Sequence, residues 1–241
     1  MIERPSPNCD ARETTIDMLV LHYTGMDSAA DALDRMCSPD SKVSAHYLID
    51  ETGKSYALVA EDHRAWHAGV ASWHGDTDIN AHSIGIELHN PGHEFGSPAY
   101  PEAQIGALID LARDIITRHD IAAPRVLGHS DVAPQRKRDP GEHLDWRRLA
   151  GAGVGLWPDV PMLAEAEIVA GPGAEGAGVL ALQSMFGAYG YEVPRSGVYD
   201  GETATVVAAF QRHFRPARVD GVADAETAGV LNSLLVRLAD S

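Results

Sequence analysis

The stretch Gly128-His129-Ser130-Asp131-Val132-Ala133-Pro134-Gln135-Arg136-Lys137-Arg138-Asp139-Pro140-Gly141 sets a histidine, a lysine and an aspartate among turn-forming residues. The apolar run Arg125-Val126-Leu127 before it reads as a strand end. Pro134, Pro140 and Gly141 exclude a continuous helix, so the segment reads as a loop leaving a sheet. Pro140 biases Asp139 toward an extended backbone, which holds its carboxylate away from its own main chain. A long irregular loop of this chemistry points to function. Taken alone, His129 and Asp139 read as a surface ion pair. A further histidine, His22, at the end of another apolar run far upstream, turns the reading toward a site.

That upstream run, Thr14 to Leu21, is apolar and rich in β-branched residues, and it ends at His22-Tyr23-Thr24-Gly25. It reads as a buried strand whose end points into the site. Ser28 to Met36 suits a short helix capped by Asp27 or Ser28. Val43 to Asp50 and Ser55 to Val59 read as paired strands around the turn Glu51-Thr52-Gly53-Lys54. Ala65 to Gly75 is a loop with two tryptophans and two histidines. Ser83-Ile84-Gly85-Ile86-Glu87-Leu88 is another apolar strand carrying one carboxylate. From Pro101 to His119, Ile105, Leu108, Ile109, Ala112, Ile115 and Ile116 recur at helical spacing, with Pro101 and Glu102 suited to the first turn. Leu144 to Leu149 completes the series as a short amphipathic helix. This order predicts an α/β domain with a mixed central sheet flanked by helices.

Downstream, Ala170 to Gly178 has the composition of a flexible linker. The segment beyond it repeats itself. Gly197-x-x-Asp200-x-Glu202-Thr203-Ala204 recurs as Gly221-x-x-Asp224-x-Glu226-Thr227-Ala228, 24 residues later. Each aspartate can cap a helix and each glutamate sits near that helix's positive end. Helices over Val179 to Tyr189, Glu202 to Phe214 and Ala225 to Leu238 make a small three-helix unit. The expected organisation is a first domain over 1–158, a linker over 159–173 and a second domain over 174–241.

At 241 residues the chain can bury a sizeable core. Its 44% hydrophobic and 22% charged residues are ordinary for a globular protein. No apolar run is long enough to span a bilayer. The net charge of −16 argues against nucleic acid and against long-range attraction to an anionic polymer. Residues 174–241 hold eight acids and five Lys or Arg, so −13 lies on residues 1–173. Cys9 and Cys37 read as free thiols. The start, Met1 to Pro7, has no apolar core of a secretory signal. The expected compartment is the cytoplasm, with the periplasm or envelope as the alternative if a leader has been removed.

The stretch Gly128 to Gly141 resembles the metal loop of the N-acetylmuramoyl-L-alanine amidase type 2 family, and the resemblance extends over roughly residues 14–158. Members are zinc enzymes that cut between the lactyl group of N-acetylmuramic acid and the L-alanine of the stem peptide. The resemblance implies one Zn2+ held by His22, His129 and Asp139, with a water in the open position. It places the general base at Glu87 and an oxyanion-stabilising cation at Lys137, roles that an amide hydrolase requires. Substrate contacts are expected from Trp66, His67 and Trp73, since aromatic faces pack on sugar rings, and from Asn90. His46 reads as a packed histidine or one that orients a ligand, and His63, His74, His82, His89 and His93 as surface residues. Leu182-Gln183, Gly190-Tyr191, Phe210-Gln211 and Val219-Asp220-Gly221 resemble the peptidoglycan-binding type 1 domain, from which Arg215-Pro216-Ala217-Arg218 departs.

The implied partners are peptidoglycan fragments or muropeptides, with no nucleic acid and no membrane span expected. Other readings are a recognition protein of the same fold, a lytic amidase acting on intact wall, and a zinc peptidase cutting within the stem. Recognition relatives typically lack a metal ligand, and all three positions are filled here. The acidity favours small released muropeptides, including the 1,6-anhydro form, and hence a role in recycling.

Overall fold

A computed structural model describes residues 1–158, 160 and 167–240. The strands are β1 (Ile2–Glu3), β2 (Cys9–Ala11), β3 (Met18–Tyr23), β4 (Tyr47–Ile49), β5 (Ser55–Ala57), β6 (His63–Ala65), β7 (Ser83–Leu88), β8 (Val126–Gly128), β9 (Ile168–Ala170) and β10 (Ala223–Asp224). The helices are α1 (Ala29–Cys37), α2 (Ile79–His82), α3 (Glu102–His119), α4 (His129–Val132), α5 (Trp146–Gly151), α6 (Ala177–Tyr189), α7 (Gly201–Phe214) and α8 (Ala225–Ala239). The central sheet runs β1-β5-β4-β7-β3-β8 and is mixed, as expected: β4 and β5 are antiparallel, while β7, β3 and β8 run parallel.

Strand alternation assigns the two faces of this sheet. Leu19 and Leu21 of β3 join Ile84, Ile86 and Leu88 of β7 in a core with α3, through Ile105, Leu108, Ala112 and Ile115. Met18 and Val20 point the other way. They join Leu127, Val132 and Trp73 in a second core that continues into the C-terminal helices through Phe186, Tyr191 and Phe210. The polar residues of β7 (Ser83, Gly85, Glu87) alternate with that strand's apolar set, so they share the second face with His22.

Several expectations need correction. The stretch after Gly128 is not loop throughout: Asp131 reaches back to accept the Gly128 N–H (2.7 Å), which stabilises the single turn α4 before Pro134. The expected strand over Val43 to Asp50 shrinks to β4. Its first half is held instead by the Trp66 loop, with Ser44 N–H donating to Trp66 O (3.1 Å) and Ser44 Oγ–H to Asn8 O (2.6 Å). The expected linker is partly ordered, because Ile168–Ala170 pairs antiparallel with Ala223–Asp224; its residues 159 and 161–166 lie outside the described residues.

The repeat is a repeated set of hydrogen bonds. Asp200 and Asp224 cap α7 and α8 by accepting the N–H groups of Thr203 (2.8 Å) and Thr227 (2.9 Å). One helix earlier in each case, Gln183 and Gln211 accept the N–H groups of Gly197 and Gly221, both at 2.9 Å. Gly221 has a positive φ of 69°, and a Cβ there would lie 2.7 Å from Ala204 O. The glycine is therefore required by the turn as well as by its hydrogen bond.

Candidate metal centre and active site

Parallel pairing of β3 with β8 and β7 brings three strand ends to one edge of the sheet. His22 stands at the end of β3, His129 one residue past β8, and Asp139 returns on the loop beyond α4. Ser130 N–H donates to Asp139 O (2.8 Å), closing that loop on itself. All three side chains are buried, and their ligand atoms lie within 4.8 Å of one another. His22 Nδ1 and His129 Nδ1 are 2.8 Å apart, and Asp139 Oδ2 lies 3.2 and 2.9 Å from them.

The outer nitrogens determine which face of each ring carries the lone pair. His129 Nε2 meets Ala68 O at 2.9 Å; a carbonyl only accepts, so Nε2 holds a proton, and in the neutral ring Nδ1 then faces the cluster bare. For His22 the reasoning passes through a third ring. Ser83 Oγ–H donates to Ile79 O (2.5 Å), so Ser83 can only accept from His67 Nε2–H (3.2 Å). His67 Nδ1 is then the acceptor for His22 Nε2–H (3.0 Å), and His22 Nδ1 is left bare toward the cluster. Burial, reinforced by His129, lowers the His22 pKa to about 4 and keeps that ring neutral. Burial and the neighbouring His22 likewise hold His67 well below the usual histidine value. The Asp139 carboxyl is held well below its ordinary range: burial opposes this, but the His129 and His22 rings outweigh it.

When both rings are neutral, two nitrogen lone pairs and a carboxylate oxygen converge with no proton between them. That arrangement is repulsive by itself and is relieved by a cation. Two imidazoles, one carboxylate and orienting partners behind the rings fit zinc.

The cluster floors a cleft of about 360 Å³, whose lining includes Tyr23, Trp66, Glu87 and Lys137. Glu87 is partly exposed as a residue, yet its Oε2 is enclosed without a hydrogen-bond partner among the described residues. Burial and the nearby Asp139 raise its pKa to about 8, and Lys137 pulls the other way. A carboxyl raised this far can take up or release a proton near neutral pH. Lys137 lines the same cleft.

The expected substrate contacts divide. Trp66 lines the cleft, with Nε1–H anchored on Asp10 (2.7 Å). His67 also touches the cleft, but both of its nitrogens are used behind His22. Trp73 does not face substrate: it is 1% exposed and packs edge-on to Tyr191, with ring centroids 5.0 Å apart. Asn90 is structural. Its amide donates to Pro98 O (2.8 Å) and accepts from Gly92 N–H (2.9 Å). His46 is a packed histidine, accepting Gly85 N–H at Nδ1 (3.0 Å). His93 is not a free surface residue; it bridges Glu142 Oε2 and the OH of the cleft-lining Tyr23, both at 2.9 Å. Sequence reading missed the His67 role, although Gly85 hinted at it: a glycine inside a strand marks a close approach, and a Cβ there would lie 2.5 Å from His67 Cγ.

Known proteins resemble this chain along most of its length. A family model described as N-acetylmuramoyl-L-alanine amidase matches residues 12–142, and one described as a putative peptidoglycan binding domain matches 175–231. The chain is 40% identical over 235 residues to the N-acetylmuramoyl-L-alanine amidase AmiD of Escherichia coli K12, spanning 91% of this chain and 82% of that protein. Among solved structures, E. coli AmiD in complex with the substrate anhydro-N-acetylmuramic acid-L-Ala-D-γ-Glu-L-Lys superposes with a TM-score of 0.79 at 36% identity, covering 96% of this chain and 94% of that one. AmpDh3 of Pseudomonas aeruginosa in complex with anhydromuramic pentapeptide gives a TM-score of 0.77 at 35% identity, with 92% of each chain covered. Matched by family model across its catalytic half and by relatives along nearly its full length, this chain belongs to the N-acetylmuramoyl-L-alanine amidase family.

Proposed function

We propose that the chain uses one zinc ion, held by His22, His129 and Asp139, to hydrolyse the amide between N-acetylmuramic acid and the L-alanine of a stem peptide, with 1,6-anhydro-muropeptides as preferred substrates. The observation that carries this reading is the convergence of the two bare Nδ1 atoms and the Asp139 carboxylate beside Glu87 and Lys137 in one cleft. Bound zinc supplies Lewis-acid polarisation of the carbonyl and of the attacking water. Glu87 takes the proton from that water and returns it to the departing L-alanine nitrogen. Lys137 offers an ammonium donor where negative charge develops on the carbonyl oxygen. Trp66 gives the sugar an aromatic wall.

The anhydro preference draws on the ligands of the AmiD and AmpDh3 complexes and on an acidic chain that gains little from approaching an anionic polymer. The same acidity and two free thiols support the cytoplasm as the compartment; recovery in the envelope fraction of its source cell would refute that assignment. A second reading, action on intact wall, is favoured by the match of residues 175–231 to a peptidoglycan binding domain.

The test is product analysis by mass spectrometry, with zinc-loaded and chelator-treated protein, on a defined anhydro-muropeptide beside intact sacculi. The expected products are anhydro-N-acetylmuramic acid and a peptide beginning with L-alanine, formed only with metal. His129→Ala and Asp139→Ala should lose zinc and activity together. Cleavage inside the stem peptide, or full activity without metal, would overturn the reading; faster release from sacculi would favour the second.

A further inference from the structure

The C-terminal helices are joined to the amidase domain by a buried polar contact as well as by apolar packing. Asp131, in the turn that carries His129, has no exposed surface. Its carboxylate accepts three donors. One is the Gly128 N–H to Oδ2 (2.7 Å), from the end of β8. The others come from the C-terminal helical unit: Tyr191 OH to Oδ1 (2.5 Å) and His213 Nδ1–H to Oδ2 (2.7 Å).

We propose that the C-terminal unit is a positioning element of the amidase site: through Tyr191 and His213 it holds Asp131, and with it the turn that presents His129 to the metal. The route is short and covalent at its end. Asp131 and His129 share one helical turn, and Gly128, which Asp131 anchors, directly precedes His129. Within the same turn, Ser130 N–H grips Asp139 O (2.8 Å), so the second loop ligand depends on the same backbone. The turn is closely packed at Gly128. A Cβ on Gly128 would lie 2.8 Å from Pro140 Cδ and 3.4 Å from Trp146 Cζ2.

The two donors are themselves fixed. The His213 ring is stacked on Trp146 with centroids 3.7 Å apart, and its Nε2 has no hydrogen-bond partner among the described residues, so Nδ1 is its one polar commitment. Tyr191 is wedged by Trp73, which in turn leaves no room for a side chain at Gly190, where a Cβ would lie 2.5 Å from the indole. A buried carboxylate is costly unless its donors are in place, and here two of the three belong to the other unit. An apolar contact would join the units as firmly; a carboxylate with a fixed set of donors also dictates their register.

The inference rests on the metal reading above, and the experiment separates the two. Full-length Tyr191→Phe, His213→Ala and His213→Asn are compared with the parent for zinc affinity, by competition with a chelator, and for kcat and KM. Tyr191→Phe and His213→Ala should weaken zinc binding by about 10-fold or more, the scale for partners that orient ligands. They should lower kcat while leaving KM near the parent value. His213→Asn, whose amide NH2 can replace the Nδ1 donor, should recover most of the loss. A parent chain that binds no zinc overturns the metal reading and this inference with it. A parent that binds zinc, beside folded variants of unchanged affinity and kcat, overturns the positioning role alone. Should His213→Ala fail to fold, Tyr191→Phe, which removes a single oxygen, decides.

Discussion

His22 and Glu87 lie directly opposite each other in the parallel register of β3 and β7, so an imidazole of the donor cluster and the Glu87 carboxyl rise from one face of the sheet side by side. A slip of one residue would turn Glu87 into the core beneath α3 and bring Ile86 or Leu88 to the site. The apolar alternation of β7 on α3 prevents that slip, and so the packing core sets the catalytic geometry.

Glu87→Gln and Lys137→Ala should each retain one zinc per chain and lose about 10²-fold or more in kcat, the scale for a proton carrier or an oxyanion donor. Metal content by elemental analysis beside turnover on an anhydro-muropeptide checks this. Loss of zinc from either variant would make that residue structural.

His67 should matter to the metal without touching it. His67→Phe removes the acceptor of His22 Nε2–H and frees the His22 ring to adopt the wrong tautomer. Zinc affinity should fall by about 10–100-fold, and Ser83→Ala should produce a smaller loss in the same direction. Chelator competition reads both, and an unchanged affinity in His67→Phe would refute the tautomer argument.

Gly85→Ala should destabilise the fold, because its Cβ would meet His67 Cγ at 2.5 Å. Overpacking of this kind costs about 1–3 kcal/mol. The penalty should shrink in a His67→Ala background, where the ring is gone. Denaturant unfolding of the four proteins of this cycle measures the coupling, and additive effects would exclude the clash.

The acid limb of stability should be sensitive to Glu61. Burial alone would raise its pKa, but donors from Arg118, His119 and Tyr47 outweigh burial and lower it to about 2, from an ordinary 4.5. A depressed carboxyl contributes stability that is present above the unfolded value and is lost as pH falls through the folded one. The difference in Tm between the parent and Glu61→Gln should therefore be steady above about pH 5 and shrink between 4.5 and 2. A difference independent of pH would assign Glu61 a role in packing only.

Short-range patterns were legible in the chain. The period of Ile105, Leu108, Ala112 and Ile115 marked α3, whose observed span is Glu102–His119. The cap of α1 was readable as Asp27 or Ser28, and it is Ser28 that accepts Asp31 N–H at 3.1 Å. The two Asp-x-Glu-Thr repeats marked the starts of α7 and α8. The residues proposed to hold the metal were readable through a resemblance: a motif of fourteen neighbours, plus one strand end, matches a known family's metal positions at His22, His129 and Asp139 without any knowledge of distance.

Tertiary structure decided what those residues lean on. His67 stands 45 residues from His22, and His213 stands 82 residues from Asp131. Trp73 carries the aromatic signature of a sugar-binding residue yet is buried against Tyr191. Hydrophobic periodicity records that a face is covered and not which segment covers it, because burial depends on the amount of apolar surface removed from water and not on its partner. Hydrogen bonds do depend on the partner, through distance and direction. The amidase chemistry was therefore written in local sequence, while the tautomers of its histidines and the seating of its C-terminal helices were settled only when segments far apart in the chain came within hydrogen-bonding reach.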